Sequence, residues 1–177
     1  MPSWKNANPT LRACDAMTQK KTVPEAFEAE YLAAFRDIYE NKIVFNKLLG
    51  LKLEDIDPQG RVRASIEMRP ELVGHFAYNR VHGGVISAAL DAMGSAAVMA
   101  ALAARHMDEP PAKRIERFAK LGTIDLRVDY LRPGIGEYFT IHAECLRVGS
   151  RVGSARMEFC GPDGTLMSSG AAAYIVS

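Results

Sequence analysis

The sequence predicts an α+β fold: an antiparallel sheet wrapped around one long central helix, with an extra helix at the N-terminus. Three observations carry that prediction. Residues 85–104 run apolar with Asp91 as their single charged side chain. Beyond residue 122, apolar and polar residues alternate with a period of two, in segments separated by Gly- and Pro-rich turns. Before residue 48, aromatic and aliphatic residues recur at a period near 3.6. A sheet with one apolar face must bury it, and one helix apolar all round is available to cover it.

Taken in order, residues 1–21 lack a periodic pattern, so 1–23 is expected to be disordered or loosely attached, with a single domain over 24–177. Pro24 suits a first helical turn. Phe27, Tyr31, Phe35, Ile38 and Lys42 then share a face, which predicts an amphipathic helix over 24–47 that Gly50 stops. The aromatic stripe reads as core packing. "DPQG" is a turn, and in "RVRASIEM" (61–68) Val62, Ala64, Ile66 and Met68 alternate with polar neighbours as in a strand. The central helix is expected over 82–105, followed by a polar stretch with two prolines and one short helical turn. In "TIDLRVDYL" the alternation puts Ile124, Leu126, Val128 and Tyr130 on one face and Thr123, Asp125, Arg127 and Asp129 on the other. "RPGIGE", "GSRVGS" and "GPDGT" turn the chain into three more strands, and strands joined so briefly are expected to be antiparallel neighbours.

Composition narrows the function. A formal charge of +1 over 177 residues gives no reason to expect nucleic acid or an anionic membrane surface as partner. Cys14, Cys145 and Cys160 have no CxxC or Cys/His ligand spacing and read as free thiols in a reducing cytoplasm. The N-terminal segment lacks the apolar core of a signal peptide. Twenty apolar residues could span a bilayer, but nine of residues 85–104 are alanine and an acid sits among them, so the expectation is a helix buried in a soluble protein. Without a Walker A, HExxH or GxGxxG motif, neither a metal nor a nucleotide cofactor is implied.

Two features of the central helix carry chemistry. Gly83 and Gly84 open it, where backbone N–H groups lack intrahelical partners and the dipole is positive, so an N–H there can polarise a carbonyl and hold an oxyanion. Asp91 is an acid in an apolar run, costly to bury without a reason. Eight residues separate it from Gly83, about 12 Å along the axis. One carbonyl carbon cannot lie within about 3 Å of both groups on one helix, so if both act, a second subunit supplies one of them.

"HGGVISAALD" (82–91), followed by "LGTIDLRVDYLRPG" (121–134), resembles the PaaI-type hotdog acyl-CoA thioesterases. The wording of both stretches is most similar to the YigI-type branch, which acts on medium- and long-chain acyl-CoA. The resemblance covers roughly residues 45–177. It implies a cytoplasmic homodimer with shared active sites, possible pairing of dimers to a tetramer, and hydrolysis of acyl-CoA to free fatty acid and CoA without a cofactor. It assigns Asp91 as nucleophile or general base, Gly83 N–H as oxyanion donor and Thr123 as the residue that positions water. Ser95, one turn beyond Asp91, is a second hydroxyl candidate.

The family often has Asn six residues before the HGG histidine; Phe76 stands there instead. His75 and Asn79 flank it and could polarise the substrate, although Asn79 reads first as a turn residue and His82 is expected to fix the turn by hydrogen bonding. His106 and His142 lie on polar stretches and are expected to be solvated. Arg132, Arg147 and Arg151 are the candidates for the phosphates of CoA. Met93, Val98 and Met99 would line an acyl channel, capped by Phe27, Tyr31 and Phe35. A non-catalytic acyl-CoA-binding protein is the alternative, disfavoured by Asp91. A hydratase would need a catalytic His, and the motif's only His is His82.

Overall fold

The computed structural model describes residues 26–75 and 77–177. The expected disorder of 1–23, the helix start at Pro24, and Phe76 lie outside those residues. In chain order the elements are α1 (Ala29–Asp37), a π-helical turn (Ile38–Lys42), α2 (Val44–Leu49), β1 (Lys52–Ile56), β2 (Arg61–Glu67), β3 (Val73–His75), β4 (Tyr78–Val81), α3 (Gly83–Ala104), α4 (Pro111–Glu116), β5 (Gly122–Tyr130), β6 (Tyr138–Val148), β7 (Val152–Cys160) and β8 (Leu166–Ile175). Six strands form one antiparallel sheet in the order β1-β2-β6-β7-β8-β5, and β3 and β4 form a separate small ribbon.

The sheet curls around α3. Ile86, Leu90, Met93, Ala97 and Met99 are buried on the helix, against Ala64 and Ile66 of β2, Ile141 of β6, Met157 of β7 and Tyr174 of β8. Small residues let the layers approach closely: a Cβ on Gly153 would collide with Val98, and one on Gly94 with the Tyr174 hydroxyl. α3 is long and apolar enough to cross a membrane, but in this fold its apolar surface is largely spent on the sheet.

Three expectations need correction. The helix over 24–47 is broken: α1 passes into a π-helical turn, and Ile43 is extended (φ −77°, ψ 96°) before α2. The irregularity places two side chains, a common use of π-turns. Tyr39 reaches Ser95 on α3 at 3.1 Å, and Glu40 accepts the backbone N–H of Leu53 at 2.9 Å. Gly50 ends α2 in the left-handed conformation (φ 73°).

Second, β5 is not a neighbour of β6. It pairs with β8 at the opposite side of the sheet. The 131–137 connection is a crossover held along its length. Leu131 and Arg132 N–H donate to Met167 O, Gly134 O accepts from Val81 N–H, and Glu137 O accepts from Met68 N–H.

Third, β5 carries a bulge between Thr123 and Asp125. The extra residue reverses the alternation. Leu126 and Val128 pack on the core as expected, but Ile124 is exposed, and Thr123 faces α3 together with Tyr130.

The two edges of the sheet differ. On β1, the groups turned away from β2 are taken by side chains: Glu40 accepts from Leu53 N–H, while Arg36 donates to the carbonyls of Leu53 and Glu54. β5 is nine residues long, carries exposed Ile124 and Tyr130, and has no such cover among the described residues. The aromatic stripe is core packing, running Phe27–Tyr31–Phe35–Tyr39–Phe118 with centroids 4.6–5.8 Å apart. The buried Arg114 of α4 lies over Tyr31 and donates to both carboxylate oxygens of Glu28 at 2.7 Å, holding that carboxyl below its usual pKa.

Candidate active site

His82 is the N-cap of α3. Its extended backbone ends the ribbon strand β4, and its Nδ1 accepts from Gly84 N–H at 2.9 Å. Val85 and Ile86 N–H both donate to His82 O. Gly83 N–H is left without an acceptor among the described residues, at the positive end of a 22-residue helix. It opens on a cleft of about 290 Å³ lined by His75, Arg80, His82, Tyr130 and Arg132. Tyr130 was not singled out by the sequence. Its hydroxyl donates to Gly83 O at 2.9 Å and its ring lies over the glycine. Only its alternation in phase with Leu126 and Val128 on β5 could have signalled this.

Asp91 is half-buried, not enclosed. It lies on a cavity of about 250 Å³ whose other walls are Ile43, Phe45, Asn46, Ala88, Ala92 and Ser95. Thr123 Oγ1 donates to Asp91 Oδ1 at 2.9 Å, which fixes the carboxylate and leaves Oδ2 free of described partners. The buried Tyr174 hydroxyl donates to Asp91 O at 3.0 Å, holding the backbone of the same turn. Burial raises the pKa of Tyr174, and the Asp91 charge adds to that, so the phenol stays protonated as a donor. Ser95 Oγ donates to Ala92 O at 2.7 Å and meets Tyr39 Oη at 3.1 Å.

The Gly83 cleft and the Asp91 cavity share no lining residue. A backbone N–H at a helix N-terminus lies in the first and a carboxylate in the second.

The remaining candidates are scattered. His75 is exposed, accepts from Ala77 N–H at 3.2 Å and packs on Tyr78. Asn79 lies within β4, and among the described residues only glycines have positive φ, so the turn reading fails. Its strand is set by pairing with β3. Arg132 lines the Gly83 cleft with its guanidinium donating to Leu166 O. Arg147 and Arg151 are exposed at the β6–β7 turn, whose Gly149 and Ser150 share a cleft with Arg105 at the other end of α3. The helix is about 33 Å long, so the three arginines do not converge within one chain. Met93, Val98 and Met99 are fully buried in the core and do not wall a channel. His142 is exposed and His106 half-buried near Glu109.

A long helix inside a curled antiparallel sheet, with a capped glycine N-terminus and a mid-helix acid, defines a hotdog thioesterase. The chain belongs to the thioesterase superfamily, whose sequence profile matches residues 78–168. It is 37% identical over 132 residues to the medium/long-chain acyl-CoA thioesterase YigI of Escherichia coli K12, an alignment covering 75% of this chain and 84% of that protein. The YigI of Salmonella typhimurium is 38% identical over the same shares. Among solved structures, a Shewanella oneidensis protein related to the thioesterase superfamily superposes with a TM-score of 0.78 at 38% identity, covering 84% of this chain and 97% of that one.

Proposed function

We propose that the protein hydrolyses medium- to long-chain acyl-CoA to free fatty acid and CoA in the cytoplasm. It works as a homodimer in which Gly83 of one subunit and Asp91 of the other serve one substrate. The observation that carries this reading is the split of donor and carboxylate between two separate half-sites. A single chain cannot bring them to one carbonyl carbon, whereas two copies supply both. The uncovered edge of β5 favours pairing with a second copy, since a long unpaired edge can accept another strand.

The chemistry follows from the half-sites. Asp91 draws a proton from a water that attacks the thioester carbon, or attacks it directly to give a mixed anhydride that water then opens. In both routes the carbonyl oxygen gains negative charge beside Gly83 N–H, at the helix N-terminus, where that charge is stabilised. The C–S bond breaks, and the CoA thiolate leaves and takes up a proton. Thr123 keeps the carboxylate aimed. Arg132 and Arg80 line the Gly83 cleft and are placed to meet the pantetheine arm as it leaves the thioester, an arm's length short of the phosphates. Arg147 and Arg151 would meet those phosphates only from another subunit, for example in a pair of dimers. The acyl chain runs along Ile43, Phe45, Ala88 and Ala92, which replaces the expected channel at Met93 and Met99. Each methylene buried there contributes about 0.8 kcal/mol.

Thiol release from acetyl- to long-chain acyl-CoA tests the reading. kcat/KM should rise with chain length to a medium or long optimum. Preference for acetyl-CoA would overturn the chain-length assignment; binding of every acyl-CoA without thiol release would establish the non-catalytic alternative.

A further inference from the structure

Asn46 sits in the middle of α2, outside the HGG motif and on an element that only packing brings to the central helix. It is 4% exposed, and its side-chain Nδ2 has no hydrogen-bond partner among the described residues. It lines the same cavity as Asp91 and Ser95. Buried amides normally find partners. Nδ2 is sealed in this rotamer, and a half-turn of the amide presents it, beside Asp91 and Ser95, as a donor to whatever enters the cavity.

We infer that Asn46 is a catalytic residue of the hydrolysis, its Nδ2–H holding the attacking water beside Asp91. The inference rests on the hydrolytic function proposed above. An attacking water needs both hydrogens and one lone pair held while its second lone pair faces the carbon. Asp91 Oδ2 is free to accept the first hydrogen, because Thr123 occupies Oδ1. Ser95 Oγ spends its own proton on Ala92 O, so at 3.1 Å the Tyr39 phenol is its donor. Burial raises the pKa of Tyr39, which keeps that phenol protonated. One Ser95 lone pair remains for the second hydrogen. Asn46 Nδ2 supplies the only missing element, a donor to the water oxygen.

The test uses purified full-length protein with its best acyl-CoA. Asn46→Leu removes the donor at similar volume. kcat should fall about tenfold or more, the scale of one hydrogen bond to a reacting group. KM should stay within about twofold and Tm should hold or rise, because an unpaired buried amide has gone. A kcat within about twofold of the parent overturns the inference. Should Asn46→Leu fail to fold, Asn46→Ala with added methanol decides. Methanol competes with water for the acyl carbon and yields methyl ester and CoA. Loss of the water-holding amide should raise the ester-to-acid ratio; the parent ratio overturns the inference. Absence of thiol release by the unaltered protein would instead overturn the hydrolytic function, and the inference with it.

Discussion

Thr123 Oγ1 donates to Asp91 Oδ1 at 2.9 Å, tying the edge strand β5 to the middle of the central helix through the bulge that turns Thr123 inward. Removing the hydroxyl in Thr123→Val leaves the shape but frees the carboxylate to rotate. kcat should fall about tenfold or more, on the scale of a hydrogen bond to a charged group, and Thr123→Ser should restore most of it. Steady-state rates of the two variants check this; equal rates would remove Thr123 from the site.

Asp91→Asn keeps a carbonyl that can still accept from Thr123, but loses basicity and nucleophilicity. Turnover should drop at least about a hundredfold, the usual scale for loss of a general base. Circular dichroism and acyl-CoA binding should be unchanged. Near-normal turnover in the folded variant would exclude Asp91 from the chemistry.

Gly83→Pro deletes the proposed oxyanion donor at a helix position that tolerates proline. It should be inactive alone. Co-expressed with Asp91→Asn under two tags, the isolated mixed dimer should regain a fraction of parental activity, because one of its two sites would be intact. Mixed dimers without activity would argue against shared sites.

Gly94→Ala tests the packing that holds the Asp91 turn. The added Cβ falls on the Tyr174 hydroxyl and close to Met157 Sδ. Overpacking of this kind costs about 1–3 kcal/mol, a loss of several degrees in Tm for a chain this size. Differential scanning calorimetry reads it directly, and an unchanged Tm would show that the helix can slide.

Burial pushes the Cys145 thiol up to about 11. The thiolate is the reactive form, so alkylation at neutral pH should be slow. Its rate should keep climbing beyond pH 10, where an ordinary thiol has levelled off. Peptide-resolved iodoacetamide labelling against pH checks the sign; a plateau by pH 10 would contradict the burial.

Much of this was legible in the sequence because it repeats. The strand of Val62, Ala64 and Ile66 and the helix around Asp91 announce themselves through periodicity, and their burial follows it. Single-residue events do not repeat. The bulge at Ile124 inserts one β-branched residue among others and leaves no mark on the pattern, yet it decides which way Thr123 points. The break at Ile43 is equally silent, since a helical face continues on either side of it. The crossover that places β5 beside β8 is held by hydrogen bonds in which Leu131 N–H donates and the Gly134 and Glu137 carbonyls accept, to and from three different parts of the chain. Asn46 belongs to no motif; its interest arises from the residues packed around it.

The side chains of Arg36 and Glu40 also limit how far the sheet can grow. A strand added to β5 extends it once. If that strand is the β5 of a second copy related by a two-fold axis, both outer margins of the enlarged sheet are β1, and at both Leu53 N–H and the Leu53 and Glu54 carbonyls are already occupied. Polymerisation through strand addition is then hindered at both margins, and the chain can keep an unpaired edge for its mate without seeding a fibre.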